Sequence, residues 1–406
     1  MTPLRRALAA LLALVLGPQA QAGFSIPGYE LVHTAPVETT LVNADLRSSA
    51  TVWSQLFDEA RSEIVIGQFY AISKAGTPFD KVVERLEAAG ARGVKIRFLL
   101  DKKGIGLSDP ATLERLRKIP NLDMRVLDYA QLTGTGIIHA KYIAVDKKSA
   151  FIGSQNFDWR AFTHIQETGL LITDAAMVAQ VRAVFERDWQ AQSLLASNLA
   201  VPRAVAVAVP VAAQAAQLVA SPAAFNPSGV ADSEVVLPAL LADARTEVRI
   251  QLLDYAPLGY GPDSTRPYYG VIDNAVRAAA GRGVKIKLMV SNWSTDQPGI
   301  AYLKSLALLP NVEVRIVTLP LAASGPIPFA RVIHSKTMTI DGKLAWVGTS
   351  NWAGGYFDKS RNLEVVLRNE KMAQRLGALH EQTWSSSYAQ PIDIGKDYPK
   401  PNKGNE

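Results

Sequence analysis

The sequence contains no cysteine among its 406 residues. It therefore has no disulfide framework, no thiol nucleophile and no thiolate metal site. Histidine is also scarce, and the imidazoles form no HExxH or similar metal-binding cluster. The five histidines are His33, His139, His164, His334 and His380. We therefore expect neither a structural nor a catalytic metal.

Long apolar runs are scarce beyond the N-terminus. There, Arg5 and Arg6 precede the apolar run 7–17, and a small-x-small sequence follows at 20–22, as in a secretory signal peptide. The run is much shorter than the roughly 20 residues that span a bilayer, although an uncleaved anchor is the alternative. We predict cleavage near Ala22, export to the periplasm or the medium, and no transmembrane segment in the mature chain.

Lysine and arginine exceed the acidic residues and give the chain a formal net charge of +6. A basic surface favours anionic partners such as phospholipid or nucleic acid, although many exported proteins are mildly basic and bind neither. The length exceeds the size at which a single core usually stops growing, so we expect two domains or two fused halves.

One pattern of polar residues occurs twice, with the same gaps in both copies. The first copy is His139-x-Lys141, Asp146 and Gly153-Ser154-x-Asn156, and the second is His334-x-Lys336, Asp341 and Gly348-Thr349-x-Asn351. We call each copy a cassette. Weaker matches surround the cassettes, such as 93–96 with 283–286. The chain is therefore a tandem duplication.

Each half alternates short apolar runs with segments of helical periodicity. The runs 64–69 and 142–145 predict strands, and 79–89 predicts a helix. This alternation is typical of α/β proteins, and we expect mixed, largely parallel sheets covered on both faces. The predicted organisation is a signal peptide at 1–22, an N-terminal half at 23–195, an Ala/Val/Pro-rich linker at 196–232, a C-terminal half at 233–389, and an extended or disordered polar tail at 390–406.

The spacing within a cassette predicts how its polar groups meet. His139 and Lys141 are two residues apart at the entry to a strand, so both side chains leave the same face. Asp146 falls in the turn before the next strand, and Gly153 lets the backbone bend so that Asn156 returns to the same edge. We therefore expect these groups, and their counterparts in the second cassette, to converge on one phosphate.

Two cassettes together supply what a phosphodiester cleavage requires. One imidazole attacks phosphorus while the other donates a proton to the departing oxygen, and histidine serves both roles near neutrality. The lysines and asparagines hold the nonbridging oxygens and stabilise charge in the transition state. The predicted catalytic residues are His139, Lys141, Asp146, Asn156, His334, Lys336, Asp341 and Asn351.

Two glutamates, Glu167 and Glu364, lie 11 and 13 residues beyond the cassette asparagines, and each opens an apolar run. We predict that both orient an imidazole, with a surface glutamate at a strand start as the alternative. Hydroxyl groups and aromatic rings near the cassettes are candidate substrate-binding groups, the rings by stacking on bases unless they pack the interface between the halves. They are Ser154, Thr349, Tyr70, Trp159 and Trp352, with Trp293 and Tyr356 nearby.

The duplicated cassette closely resembles the signature of the phospholipase D superfamily, and the resemblance covers 41–388. It implies two pseudo-twofold-related α/β sandwich halves with the active site at their interface, and no cofactor. It also implies that His139 is the nucleophile and His334 the acid/base. The stretches 153–160, 327–332 and 348–352 are similar to the branch of lysosomal phospholipase-D-like 5′ exonucleases and poxvirus envelope phospholipases, although this chain lacks the cysteines of the animal members.

The sequence is compatible with three functions. The first is a metal-independent phosphodiesterase acting through a phosphohistidine. Its first-choice substrate is phospholipid, with peripheral membrane contact, and the alternative is single-stranded nucleic acid cut by a 5′ exonuclease. The second is a phosphatidyltransferase similar to cardiolipin synthase, in which an alcohol replaces water. The third is a retired phosphate-binding protein, which the intact histidines and lysines disfavour. Both cassettes lie in one chain, so we expect a monomer.

Overall fold

The computed structural model describes residues 23–204, 214–260 and 265–403. The predicted signal peptide lies outside the described residues. Strands and helices alternate in both halves, and the two halves repeat the same order of elements.

The strands of the first half are β1 (Ser25–Ile26), β2 (Tyr29–Thr34), β3 (Glu63–Gln68), β4 (Ala71–Ile72), β5 (Lys95–Asp101), β6 (Leu122–Leu127), β7 (Tyr142–Val145), β8 (Ser149–Gly153), β9 (Phe157–Asp158) and β10 (Glu167–Ile172). Its helices are α1 (Ser49–Glu59), α2 (Pro78–Ala91), α3 (Lys102–Ile105), α4 (Pro110–Arg117), α5 (Ala130–Thr133) and α6 (Ala175–Ala196).

The strands of the second half are β11 (Ala216–Ser221), β12 (Ala231–Asp232), β13 (Glu247–Leu252), β14 (Tyr255–Ala256), β15 (Lys285–Ser291), β16 (Val312–Val317), β17 (Lys336–Ile340), β18 (Leu344–Gly348), β19 (Trp352–Ala353), β20 (Asn362–Leu367) and β21 (Ala389–Pro391). Its helices are α7 (Ser233–Asp243), α8 (Gly270–Gly281), α9 (Gly299–Ala307) and α10 (Glu370–Trp384).

Each half is built on one mixed sheet. The strand orders are β1-β2-β10-β8-β7-β3-β5-β6 and β12-β11-β20-β18-β17-β13-β15-β16-β21. The parallel pairs β3–β5 and β5–β6 recur as β13–β15 and β15–β16. The mixed α/β fold is confirmed, but the expectation of largely parallel sheets is wrong. Each cassette forms an antiparallel hairpin, and the strand that follows it also pairs antiparallel beside it.

Local chemistry determines where the helices begin and end. The Thr77 side chain accepts a hydrogen bond from the backbone N–H of Asp80, and Pro78, which has no N–H, opens α2. Both features reduce the number of unpaired N–H groups in the first turn of the helix. Gly93 follows that helix with φ of 87°, and Gly283 follows α8 with φ of 91°. This left-handed conformation ends a helix at little cost only in glycine.

The two sheets share one core. Ile152 and Leu170 of the first sheet belong to the same buried cluster as Val347 and Val365 of the second. A buried ion pair also joins the halves, because the guanidinium of Arg361 lies 2.9 Å from the carboxylate of Asp188 on α6. The halves therefore form one body, and the loops at their joint are held in place by packing on both sides.

The segment predicted to be a linker is partly a strand of the second sheet. β11 pairs antiparallel with β20, as β2 pairs with β10 in the first half. The second half therefore begins at Ala216 rather than at 233. The misleading signal was composition, because small apolar residues suit a strand buried on both faces as well as a connection.

The C-terminal stretch is extended and anchored as far as Lys403. β21 pairs antiparallel with β16, and Tyr398 packs against the core of the second half. Within 23–204, 214–260 and 265–403, no helix is both long and apolar enough to cross a membrane.

Candidate active site

Each cassette is preceded by a segment that pairs with the opposite half. The backbone N–H groups of His139 and Ala140 both donate to the Arg361 carbonyl, at 2.9 and 2.8 Å. In the same way, the His334 N–H of the second half donates to the Gln166 carbonyl of the first half at 2.9 Å. Main-chain hydrogen bonds from the opposite half therefore place both histidines at the joint between the sheets.

The two imidazoles have different partners. Nδ1 of His334 lies 3.0 and 2.9 Å from the two carboxylate oxygens of Glu167, which is fully buried at the start of β10. Nδ1 of His139 lies 3.1 Å from the amide oxygen of Asn362. When Nδ1 donates to these acceptors, each ring presents Nε2 to the pocket. Both histidines are thus oriented by a side chain of the other half.

Glu364 contacts neither histidine, so its predicted orienting role is wrong. Its carboxylate accepts hydrogen bonds from two serine hydroxyls of its own half. The repeat continues unbroken past the second cassette, so the counterpart of Glu167 is Asn362 rather than Glu364. Asn362 follows its cassette asparagine by 11 residues, the spacing of Glu167 in the first half. Equal spacing was the signal that could have identified Asn362.

The cassette lysines are fully buried in the same region. The ammonium groups of Lys141 and Lys336 each donate to the carbonyl of the histidine two residues earlier, which leaves further donor hydrogens for a ligand. Asn156 and Asn351 are buried, and their amide oxygens have no hydrogen-bond partner among the described residues.

A tyrosine, Tyr356, joins the site. The centroid of its ring lies 4.8 Å from that of His139. His139 is electrostatically coupled to Lys141, Lys336 and His334. Donor groups of both halves therefore lie close to the two imidazoles, an arrangement that suits a phosphate.

Burial controls the charge states of this site. It lowers the pKa of both imidazoles well below the ordinary value, and the two lysines lower these pKa values further. It also raises the pKa of Glu167 to about 8, against the opposing effect of Lys336, and lowers the pKa of Lys336 to about 7. The site therefore resists charge, and a bound phosphodiester anion would favour the protonated forms of its cations. In the part of the chain that the structure describes, no group of three or more His, Asp or Glu side chains is arranged to hold a metal ion.

Asp146 and Asp341 lie outside the pocket. Each occupies the turn at the far end of its cassette hairpin, with φ of 51° and 54°. The Asp146 carboxylate accepts three backbone N–H bonds from 61–63 at 2.7, 2.8 and 2.9 Å, and Asp341 binds 245–247 in the same way. The expectation that they converge with the histidines is wrong, because the length of a strand separates them from the lysines. Their bonds stabilise the turn and the entry to the neighbouring strand.

The cassette hydroxyls are used within the protein. Ser154 Oγ donates to the carbonyl of Thr168 at 3.2 Å and accepts from its N–H at 3.1 Å. Thr349 Oγ1 donates to the amide oxygen of Asn362 at 2.9 Å and accepts a backbone N–H at 3.1 Å. Their predicted contact with substrate is therefore replaced by a positioning role, because each hydroxyl holds the strand that carries a histidine partner.

The predicted aromatic residues have different locations. Trp352 is 2% exposed and packs in the core of the second half, so its predicted stacking role is wrong. Tyr70 lies beside the pocket, with its hydroxyl donating to Asp158 at 2.8 Å. Trp159 is half-buried at the surface, where the Lys74 ammonium lies 4.5 Å from the ring centroid. Of Tyr70, Trp159 and Trp352, it is Trp159 that has a lysine ammonium recorded over its ring.

The sequence matches a family described as "Cardiolipin synthase, PLD-like domain" at residues 54–189 and 239–384. The chain is 28% identical to a probable phospholipase D of Caenorhabditis elegans, covering 85% of this chain and 67% of the relative. It is also 28% identical to phospholipase D Z of Dictyostelium discoideum, covering 85% and 86%, and 27% identical to the 5′-3′ exonuclease PLD3 of Rattus norvegicus, covering 90% and 81%.

Solved structures show the same fold at low sequence identity. Phosphatidylserine synthase of Haemophilus influenzae superposes with a TM-score of 0.57 and 10% identity, covering 84% of this chain and 85% of that one. Polyphosphate kinase of Porphyromonas gingivalis gives a TM-score of 0.54 and 14% identity, covering 93% and 50%. Together with the paired cassettes, the family match shows that this chain belongs to the PLD-like domain family of the phospholipase D superfamily, with one copy of the domain in each half.

Proposed function

We propose that this protein is a metal-independent phosphodiesterase that works through a covalent phosphohistidine. The observation that carries the proposal is the pair of buried histidines at the joint between the halves, each held at Nδ1 by the opposite half. The two buried lysines supply positive charge for the phosphate oxygens. A base, an acid and an anion site are thereby combined, and the residues that the structure describes include no group arranged to hold a metal ion.

The unequal partners of the histidines favour one division of roles. A ring that becomes phosphorylated at Nε2 carries positive charge, and the carboxylate of Glu167 stabilises that charge better than the neutral amide of Asn362. We therefore assign the nucleophile to His334 and the general acid to His139. This reverses the order that the family resemblance implies.

In the first step, neutral His334 forms the N–P bond, the ester P–O bond breaks, and imidazolium His139 protonates the departing oxygen. In the second step, neutral His139 removes a proton from water. The resulting hydroxide bonds to phosphorus, the N–P bond breaks, and His334 returns to its neutral form. Each ring ends the cycle in its starting state.

Trapping the intermediate tests both the chemistry and the roles. With bis-nitrophenyl phosphate, the nitrophenolate departs without protonation, so His139→Ala should form the N–P bond but fail to hydrolyse it. Alkaline quenching and peptide mass spectrometry should locate the phosphoryl group on His334. An adduct on His139 in the His334→Ala variant would reverse the roles, and a wild-type enzyme without turnover or adduct would overturn the proposal.

For the substrate, we propose single-stranded nucleic acid ahead of the phospholipid that the sequence favoured. The supporting observation is the half-buried ring of Trp159 beside the ammonium of Lys74, at 4.5 Å, since stacking rings with adjacent cations suit unpaired bases and their phosphates. Phospholipid is the second candidate because relatives at 28% identity are named phospholipase D. Parallel assays on a 5′-hydroxyl oligonucleotide, phosphatidylcholine vesicles and cardiolipin would decide, and exclusive lipid hydrolysis would reject nucleic acid.

Export and the monomeric state also stay predictions. N-terminal sequencing of the protein recovered from an exporting host should begin at Gly23, and light scattering should give the mass of one chain. Retention of residue 1 in the recovered protein would contradict the predicted cleavage.

A further inference from the structure

The C-terminal segment 392–403 runs along the second half and ends against the loop that precedes His334. The Ile392 N–H donates to the Val314 carbonyl at 2.9 Å, which continues the pairing of β21. Further along, Thr295 Oγ1 donates to the Pro399 carbonyl at 3.4 Å. The Lys403 carbonyl then accepts the Phe329 N–H at 2.8 Å. The segment is therefore attached at its start, middle and end.

Lys403 lies over an aromatic pair. Its ammonium is 5.5 Å from the ring centroid of Trp293, and the ring of Phe329 lies 6.3 Å from that of Trp293 at an interplanar angle of 84°. Phe329 is 40% exposed. A perpendicular pair leaves ring surface open to solvent, and a cation beside it attracts an anion.

The backbone holds Phe329 in an unusual conformation. Its φ is 57°, a left-handed value that bulky residues rarely adopt, and Arg331 has φ of 58°. The Arg331 guanidinium fixes the loop by donating to the carbonyls of Pro320 and Val37, at 2.6 and 2.7 Å. A large apolar side chain kept exposed at a conformational cost suggests a role in binding.

A short path of hydrogen bonds connects this patch with the catalytic residues. Ser294, which follows Trp293, donates to the Asp254 carboxylate at 3.1 Å. The Asp254 carbonyl accepts the N–H of Trp352 at 3.2 Å, and Trp352 directly follows the cassette residue Asn351. Asp254 is electrostatically coupled to both Lys403 and the cassette residue Lys336, and Trp293 packs against the cluster that contains Val332, two residues before His334. The patch therefore lies close to the second cassette.

The first half closes the other side of the patch. The Arg160 guanidinium lies 5.8 Å from the ring centroid of Phe329 and donates to the Pro328 carbonyl at 2.8 Å. Arg160 is already paired with Asp158 at 2.6 Å, so its charge is largely compensated. The ammonium of Lys403 is the second cation of the patch: it lies over the ring of Trp293. Burial raises the pKa of the Asp254 carboxylate, and the ammonium of Lys403 lowers it. The charge of Lys403 is therefore shared between that carboxylate and an anion bound at the patch.

We propose that Lys403, Trp293 and Phe329 form a subsite that binds a nucleotide next to the scissile phosphate, and we call it the tail subsite. The inference rests on the proposed action on single-stranded nucleic acid. A base stacks on the exposed ring surface, while the ammonium of Lys403 contacts the adjoining phosphate. The C-terminal segment thus determines preference among substrates, and the cassettes perform the chemistry.

The test compares two substrates in the full-length protein. Bis-nitrophenyl phosphate reaches only the cassettes, whereas an oligothymidylate of about 10 nucleotides extends beyond them. For Phe329→Ala and Lys403→Ala, the ratio of kcat/KM on the oligonucleotide to that on bis-nitrophenyl phosphate should fall about tenfold. For Lys403→Ala, the slope of the logarithm of the oligonucleotide binding constant against the logarithm of the salt concentration should also become shallower by about one, because about one fewer counterion is released.

Lys400→Ala is the matched control, because it removes the same charge from an exposed position in the same segment. The ratio of kcat/KM on the oligonucleotide to kcat/KM on bis-nitrophenyl phosphate should be the same for Lys400→Ala as for the wild type. Thermal melting should verify that every variant is folded. An unchanged ratio in Phe329→Ala and Lys403→Ala, or an equal loss in Lys400→Ala, would overturn the tail subsite. A wild type that cleaves bis-nitrophenyl phosphate but not the oligonucleotide would instead reject the nucleic-acid substrate and leave the phosphodiesterase proposal standing.

Discussion

Replacing Glu167 by glutamine tests whether the two histidines differ in function because their Nδ1 atoms have different hydrogen-bond partners. The substitution preserves the size of the side chain but removes the ionisable group that faces Nδ1 of His334 at 2.9 and 3.0 Å. Burial raises the pKa of this carboxyl group to about 8, and positive charge on the phosphorylated ring lowers that pKa and favours the carboxylate. A charge-assisted hydrogen bond in a buried site is worth about 1.5–3 kcal/mol. At about 1.4 kcal/mol for each factor of ten, kcat should therefore fall about 10- to 100-fold.

The loss of kcat should be larger if the glutamine side chain turns its NH2 group toward His334. Nδ1 would then accept a hydrogen bond from that group, and the ring proton would move to Nε2. A protonated Nε2 has no free lone pair with which to attack phosphorus. A comparable substitution behind a catalytic histidine reduces turnover by about 10⁴. The expected range is therefore about 10- to 10⁴-fold, with the covalent step rather than its hydrolysis affected. Stopped-flow release of nitrophenolate would resolve the two steps.

Glu364→Gln is the matched control for this experiment. Glu364 is equally buried but is bonded to two serine hydroxyls instead of an imidazole, so its kcat should stay within about threefold of the wild type. If both glutamine variants lose activity equally, the effect reflects the loss of a buried carboxylate in general. If Glu167→Gln retains full activity, the proposed role of the carboxylate behind His334 is refuted.

Four further predictions follow from the site and its surroundings. Burial and the two lysines depress the pKa of both imidazoles below 6.5, so a bell-shaped profile of kcat/KM should peak below that pH, and a peak above about pH 8 would contradict the assigned acid and base. Excess chelator should leave hydrolysis of bis-nitrophenyl phosphate intact, whereas full inhibition that added metal reverses would reject metal-independent chemistry. Asp146→Ala should lower the free energy of unfolding by about 2 kcal/mol without reducing kcat at a permissive temperature. Because the pKa of Asp146 is below its ordinary value in the folded state, this difference should persist above pH 3.8 and narrow as the pH falls further; loss of kcat in a folded variant would return Asp146 to the catalytic residues. Asp188→Ala leaves the Arg361 charge buried without its carboxylate, so stability should drop by about 3–5 kcal/mol in one transition, and separate melting of the halves would contradict a shared core.

The duplicated spacing predicted the cassette hairpins. The strand expected at 142–145 is β7, and it pairs antiparallel with β8. The helix expected at 79–89 lies within α2. These predictions succeeded because a hairpin and an amphipathic helix are specified by residues close together in the chain. The prediction of a linker at 196–232 was wrong for the part that forms β11, because composition alone does not distinguish a buried strand from a connection.

The sequence motif did not predict the position of Asp146 relative to the histidines. A motif names residues that recur together, but recurrence does not reveal whether they act at one point in space. Asp146 recurs with His139 because the hairpin needs a carboxylate to bind the backbone at 61–63. The strand between them separates the structural part of the motif from the chemical part.

The sequence by itself determined the family, the duplication, the two histidines and the two lysines, because these depend on residue identity and local spacing. Only the tertiary structure decided that Glu167 serves His334 and that Asn362 serves His139. Each of these contacts crosses from one half to the other, and their pairing is set by how two sheets pack rather than by any spacing along the chain. The same packing made the histidines unequal, and that inequality carries the proposed division of catalytic roles.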